Sequence, residues 1–307
     1  MTLTLLQLRV MFDGPLISLL AVLLFGALVR HRSRPEVGRS VRGWTLTAAL
    51  LAVVAVVIER LSWVLPTPFA DSTTQTLVSL AAPLGAGIVA VVLLVLPAVR
   101  HDATGSADLS PRTLTSFTAP GLLVALPALA ITVLVVSVLA GQASIPDDQG
   151  RYRSYEIEIG NGVVAGADIY GWYYSLPSMV LLALLLVATL IAVKAVARPA
   201  LNEQLADVAT RRWRTRNILA MSLGAMLVHL ASILQHLVGT ARLTAGLPTD
   251  QGWISARPPL IILETPMRLT ATVAELGGWF LWFAILLVAV LPATHMKSKA
   301  PWQSVSR

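Results

Sequence analysis

Long apolar runs separated by short polar and basic stretches set the pattern of this chain. They cover residues 14–30, 43–65, 78–99, 118–141, 174–197, 217–239 and 266–292, and approach the roughly 20 residues needed to cross about 30 Å of hydrocarbon. The pattern predicts an all-α integral membrane protein: a single transmembrane domain over residues 1–307 with about seven transmembrane helices. Several runs open on helix-start chemistry, with Asp13 before Gly14-Pro15, Thr118 before Ala119-Pro120 and Thr265 before Pro266. The first 30 residues lack the basic start and small-residue cleavage site of a removable signal peptide, so they are expected to stay as a lead-in and first span.

Two segments between the runs break the rule. In 142–173, the alternation Tyr155-Glu-Ile-Glu-Ile159, the turn pair Asn161-Gly162 and the run Val163 to Tyr170 predict a small extracytoplasmic β-hairpin. A lone hairpin is marginal in water, so it should pack on something such as the 240–265 loop. It leads into Tyr170-Gly-Trp-Tyr-Tyr174, an aromatic collar that reads either as an interfacial belt or as a docking surface. In 199–216, Leu201, Leu205 and Val208 recur at helical spacing opposite Glu203 and Asp207, ahead of a basic stretch containing Trp213. This predicts a cytoplasmic amphipathic basic segment that either lies on anionic headgroups or contacts a cytoplasmic partner through Leu201, Leu205 and Trp213.

Composition agrees: 56% of residues are hydrophobic and 13% charged, where soluble domains carry about 25% charge. The distribution of that charge adds an orientation. Sixteen of the 23 Lys and Arg fall in 30–42, 100–112, 194–216 and 297–307, six fall on the opposite side, and Arg60 lies within a span. The positive-inside bias then predicts N-out/C-in topology in the cell (inner/plasma) membrane. The net charge of +7 is spent beside apolar runs rather than in one patch, which argues against nucleic acid as a partner. With no cysteine, disulfides, thiolate metal sites and Cys nucleophiles are excluded.

Ionisable groups within spans cost about 2.5 to 3.5 kcal/mol each at the centre, so each needs a partner or a reason. The candidate intramembrane polar cluster is Asp13, Glu59, Arg60, His229, His236 and Glu275, most of it in the outer half of the bundle. His229 and His236 are seven residues apart, on nearly one helix face with Met226 and Ser232, and Gln235 flanks them. Three explanations stay open: structural pairing, as of Glu275 with Arg60; a substrate or proton pathway; or a metal or haem site. About 10 Å of helix rise separates the two imidazoles, so one metal would use only one of them without distortion. No metal or cofactor is predicted outright.

The familiar catalytic signatures are absent: no His-Glu-x-x-His, Gly-x-Ser-x-Gly, Walker or dinucleotide motif, and no lysine in 266–292 for a retinal Schiff base. The stretch from Gly160-Asn-Gly-Val-Val through Tyr170-Gly-Trp-Tyr-Tyr-Ser-Leu-Pro177 into a Leu/Ala/Val span and a basic segment resembles uncharacterised polytopic membrane proteins associated with ABC-type exporters. That resemblance covers about a fifth of the chain. It implies a permease-like or accessory subunit whose 199–216 segment contacts a cytoplasmic ATPase. The alternatives are a metal- or haem-handling membrane protein using the His and Glu residues, and a structural or sensory subunit of a larger complex or homo-oligomer.

Overall fold

A computed structural model describes residues 5–29, 37–63, 71–96, 120–160, 162–197, 205–249 and 252–291. Among the described residues there are seven α-helices: α1 (Leu5–Val29), α2 (Arg39–Ser62), α3 (Ser72–Val95), α4 (Pro120–Gln142), α5 (Trp172–Ala197), α6 (Leu205–Ala241) and α7 (Glu264–Val290). Among the described residues six of them, α2 to α7, are long and apolar enough to cross a membrane, as a multi-pass protein requires. The expected first span is shorter: α1 carries the apolar stretch Phe12–Ala27, with Gln7 and Arg9 in the turns before it. Asp13-Gly14-Pro15 does not start that helix, which continues through Pro15.

Helix α6 is the centre. Its most apolar stretch is 89% buried, whereas the other five spans range from 17 to 44%. Helices α3, α4, α5 and α7 pack directly on it, α2 closes against α3 and α7, and α1 lies outside α7. Small residues make the enclosure tight. A Cβ added at Gly278 of α7 would lie 2.6 Å from Val228 Cγ2 and 2.9 Å from the Gly224 carbonyl. One added at Gly87 of α3 would lie 2.5 Å from the Ala225 Cβ. Such contacts let helix backbones approach closely in lipid, where apolar burial gives no net drive for association.

The basic stretch expected as a separate amphipathic segment is, from Leu205 onward, the first turns of α6 itself. Residues 198–204, Leu201 among them, lie outside the described part, and Trp213 is half-buried. Arg211 donates to the Val196 carbonyl at 3.0 Å, and Arg214 to the Leu94 and Val95 carbonyls at 3.1 and 3.3 Å. These cations therefore meet the C-terminal ends of α5 and α3, where orphan carbonyls and the helix dipoles favour positive charge.

Between α4 and α5 the chain forms a three-stranded antiparallel sheet in the order β1 (Ile145–Pro146), β2 (Tyr152–Gly160) and β3 (Val163–Asp168). Tyr155 pairs with Ala167 and Ile157 with Ala165. The expected hairpin is thus present with one short extra strand, and Gly162 takes the positive φ of 77° that its turn needs. A second hairpin, β4 (Ala245–Thr249) with β5 (Gly252–Ala256), lies between α6 and α7 and touches β2, so each hairpin is supported by the other. A short 3-10 helix, Pro259–Leu263, leads into α7.

The tight α6–α7 contact sets the first expectation. Gly278→Val should destabilise the purified protein by about 1–3 kcal/mol through overpacking, read as a lowered midpoint of thermal unfolding in detergent. Gly43→Val, with open space around its Cα, should shift the midpoint far less.

Candidate functional site

The structure gathers polar side chains in three places rather than one. The outermost lies where the first sheet meets the bundle. β3 ends at Asp168, and its Oδ2 accepts a hydrogen bond from the Tyr174 phenol of α5 at 3.0 Å. Its Oδ1 accepts from Arg153 Nη1 of β2 at 3.2 Å, and the Asp168 backbone carbonyl accepts from the Thr240 hydroxyl of α6 at 2.7 Å. His236 of α6 turns Nε2 toward Asp168 Oδ2 at 3.5 Å and packs edge-on to the Tyr174 ring.

Arg153 also donates to Asp147 Oδ2 at 2.6 Å, and Arg151 donates to the same oxygen at 3.0 Å. Desolvation works to raise the Asp147 carboxyl, but bonds from Arg153, Arg151 and the Gln149 amide outweigh it and hold the group well below the usual carboxylate range. The Asp147 hydrogen bond in turn holds the Arg153 guanidinium above its usual value.

The residues of the aromatic collar differ in burial, with Trp172 and Tyr173 half-buried. Tyr170 and Tyr174 are fully buried, and Trp172 packs its ring where a Gly141 Cβ would stand, 2.6 Å from the ring. Gly171 is required at its position, since an added Cβ would meet Ser144 Oγ at 2.7 Å. The Tyr174 phenol finds its partner in Asp168 at the end of β3.

The second place holds Arg60 of α2 and Glu275 of α7, paired at 2.6 Å, with side chains 15% and 12% exposed. Gln235 of α6 donates to the other Glu275 oxygen at 2.8 Å, and the guanidinium stands 5.6 Å from the Trp279 ring centroid. Gly14 of α1 lets that helix approach, because a Cβ there would lie 2.8 Å from Glu275 Oε1.

The third is His229, fully buried at the middle of α6. Its Nδ1 lies 2.8 Å from the Leu80 carbonyl, which can only accept, so the proton is on Nδ1. The acceptor lies in the turn of α3 before Pro83, whose missing N–H leaves the neighbouring Ser79 carbonyl without its helical donor, so His229 joins α6 to α3 beside a break in the ladder.

Of the six residues named from the sequence, Arg60 and Glu275 form an ion pair. Glu59 accepts from Trp63 Nε1 at 3.1 Å, Asp13 is exposed, and the two histidines serve different partners. Among the described residues no group of three or more His, Cys, Asp or Glu could hold a metal ion. Asp168, Arg153 and Asp147 do not stand out in the sequence, and Tyr174 does so only as part of the collar; the available signal was charge of both signs in the one loop 142–173. No family model matches the chain, and no curated protein or solved structure matches it.

Two outcomes follow from these pairs. Arg60→Ala should cost about 3–5 kcal/mol by leaving Glu275 buried without its cation, and the double change Arg60→Met with Glu275→Leu should recover most of it. Unfolding of the three proteins in one detergent checks this. Because its native carboxyl is depressed, Asp147 contributes stability that is complete above its ordinary value of 3.8 and is lost as pH falls through the lower native value. Hydrogen exchange of 147–151 should therefore stay protected at about pH 5 and open under stronger acid, with Asp147→Asn already open at neutral pH.

Proposed function

We propose that this chain is a seven-span, N-out/C-in subunit of a transport system in the cell membrane, permease-like or accessory to an ABC-type exporter. The observation that carries the reading is the continuity of α6. One helix, Leu205–Ala241, runs from a basic end through the centre of the bundle to Thr240, which bonds to Asp168 beneath the first sheet. A partner pushing on the basic end would move a rod joined to the opposite face, whereas a segment merely resting on headgroups would not be built into the core.

The bundle also supports an accessory role better than that of a self-sufficient carrier. Glu275 is taken up by Arg60 and Gln235, and His229 by a helix carbonyl. Energy for transport would come from elsewhere, since the chain carries no nucleotide-binding motif. A metal- or haem-handling role draws no support from the geometry, as the histidines and glutamates have separate partners.

Affinity purification of the full chain from its native membranes in mild detergent tests the proposal. The expected result is stoichiometric recovery of a nucleotide-hydrolysing subunit encoded beside it, with Leu205→Glu and Trp213→Ala weakening the association severalfold. Recovery of the chain without such a subunit overturns the reading. If the partner is instead an extracytoplasmic protein released by deleting residues 151–168, the sensory reading takes its place.

A further inference from the structure

We propose that His236 and Asp168 form a pH-responsive latch between α6 and the first extracytoplasmic sheet, closed when the imidazole carries its second proton. The inference does not depend on what the chain transports or on its membership of a transport system.

The geometry is of an unfinished bond. Asp168 Oδ2 and His236 Nε2 lie 3.5 Å apart, too far for a hydrogen bond, while Nε2 is buried and has no hydrogen-bond partner among the described residues. A neutral ring here either turns a lone pair toward a carboxylate or holds an N–H short of it. A protonated ring has N–H on both nitrogens and a full charge facing the carboxylate, and a charge-assisted bond of that kind settles at about 2.7–2.9 Å. Protonation therefore pulls the two groups together by more than half an ångström.

That pull is transmitted. Asp168 is the last residue of β3, and its carboxylate is held by Arg153 of β2 and Tyr174 of α5, so a shift of the side chain bears on the whole sheet. The Thr240 bond to the Asp168 carbonyl fixes the backbone one turn of α6 beyond His236 and serves as the pivot.

The groups around the ring leave Asp168 as its counter-ion. On β2 and the preceding turn the nearest charges are Arg153 and Asp147, already bonded to each other. On α5 the facing titratable group is Tyr174. On α7, Glu275 is matched by Arg60 of α2 and reached through Gln235, while Glu264 is matched by Arg242 at the end of α6. Residues 120–142 of α4 and 72–95 of α3 contain no ionisable side chain. Imidazole is the side chain whose charge changes between about pH 5 and 8, so the latch would close on acidification and open toward alkaline pH.

The chain has no cysteine, which makes introduced labels unambiguous. Spin labels at Glu158→Cys, exposed on β2, and Gly239→Cys, with open space around its Cα, report the sheet-to-α6 distance in the full-length protein in detergent. The expected result is a shorter and narrower distance distribution at about pH 5.5 than at about pH 8. That response should vanish in His236→Gln and Asp168→Asn and persist in His229→Gln, which alters the other buried imidazole. Indistinguishable distributions at the two pH values, or a response surviving in His236→Gln, overturn the proposal. Should His236→Gln fail to fold, Asp168→Asn carries the same decision, and the comparison of the two pH values in the labelled parent stands without either.

Discussion

The enclosure of α6 is the constraint on which the rest of this structure depends. A helix surrounded by other helices has little water to satisfy its polar side chains, so the partners they find lie within the bundle. Ser222 meets the Thr189 hydroxyl of α5 at 2.6 Å, Trp282 of α7 donates to the Met221 carbonyl at 3.2 Å, and His229 serves Leu80 of α3. These bonds fix the rotation and depth of α6 against three neighbours at once. Apolar packing alone would fix them poorly, because aliphatic surfaces in contact with lipid can slide at little cost. Gly278 and Gly87 then hold the backbones close enough for the bonds to form.

The ends of α6 answer the same constraint with charge. At one end Arg211 and Arg214 meet the carbonyls that close α5 and α3, so the helix is pinned to both partners through their negative ends. At the other end Arg242, the residue after α6, pairs with Glu264 of α7 at 2.6 Å, while Thr240 and His236 approach Asp168, which belongs to the sheet. The two hairpins add little apolar burial of their own and stand mainly by contact with each other and by this attachment. Their placement is therefore a consequence of where α6 ends.

Much of this was legible in the chain. The apolar runs overlap each of the seven α-helices among the described residues, six of which are long and apolar enough to cross a bilayer. The Asn161-Gly162 turn marked the hairpin, and the scarcity of intramembrane charge pointed to Arg60 and Glu275 as partners, which meet at 2.6 Å. What was not legible depends on which helix lies inside. The central helix differs only modestly from its shell, with a mean hydropathy of 1.8 against 2.0 to 2.8 for the other five spans, and the basic stretch before it read as a separate surface segment. Likewise Asp168 sits in a loop by sequence, where a carboxylate needs no explanation. Only the fold brings it against Tyr174 and His236.

The two principal ionic contacts differ in a way that separates architecture from response. Arg60 and Glu275 make a short pair with Gln235 on the second carboxylate oxygen and Trp279 beside the guanidinium. Arg keeps its charge at any accessible pH, so that contact has one state and serves to join α2, α6 and α7. His236 and Asp168 stand 3.5 Å apart with the imidazole nitrogen unsatisfied, and the charge of that ring can change. Of these two contacts, the one that includes an imidazole is the one whose charge can change, and it lies at the junction between the central helix and the sheet.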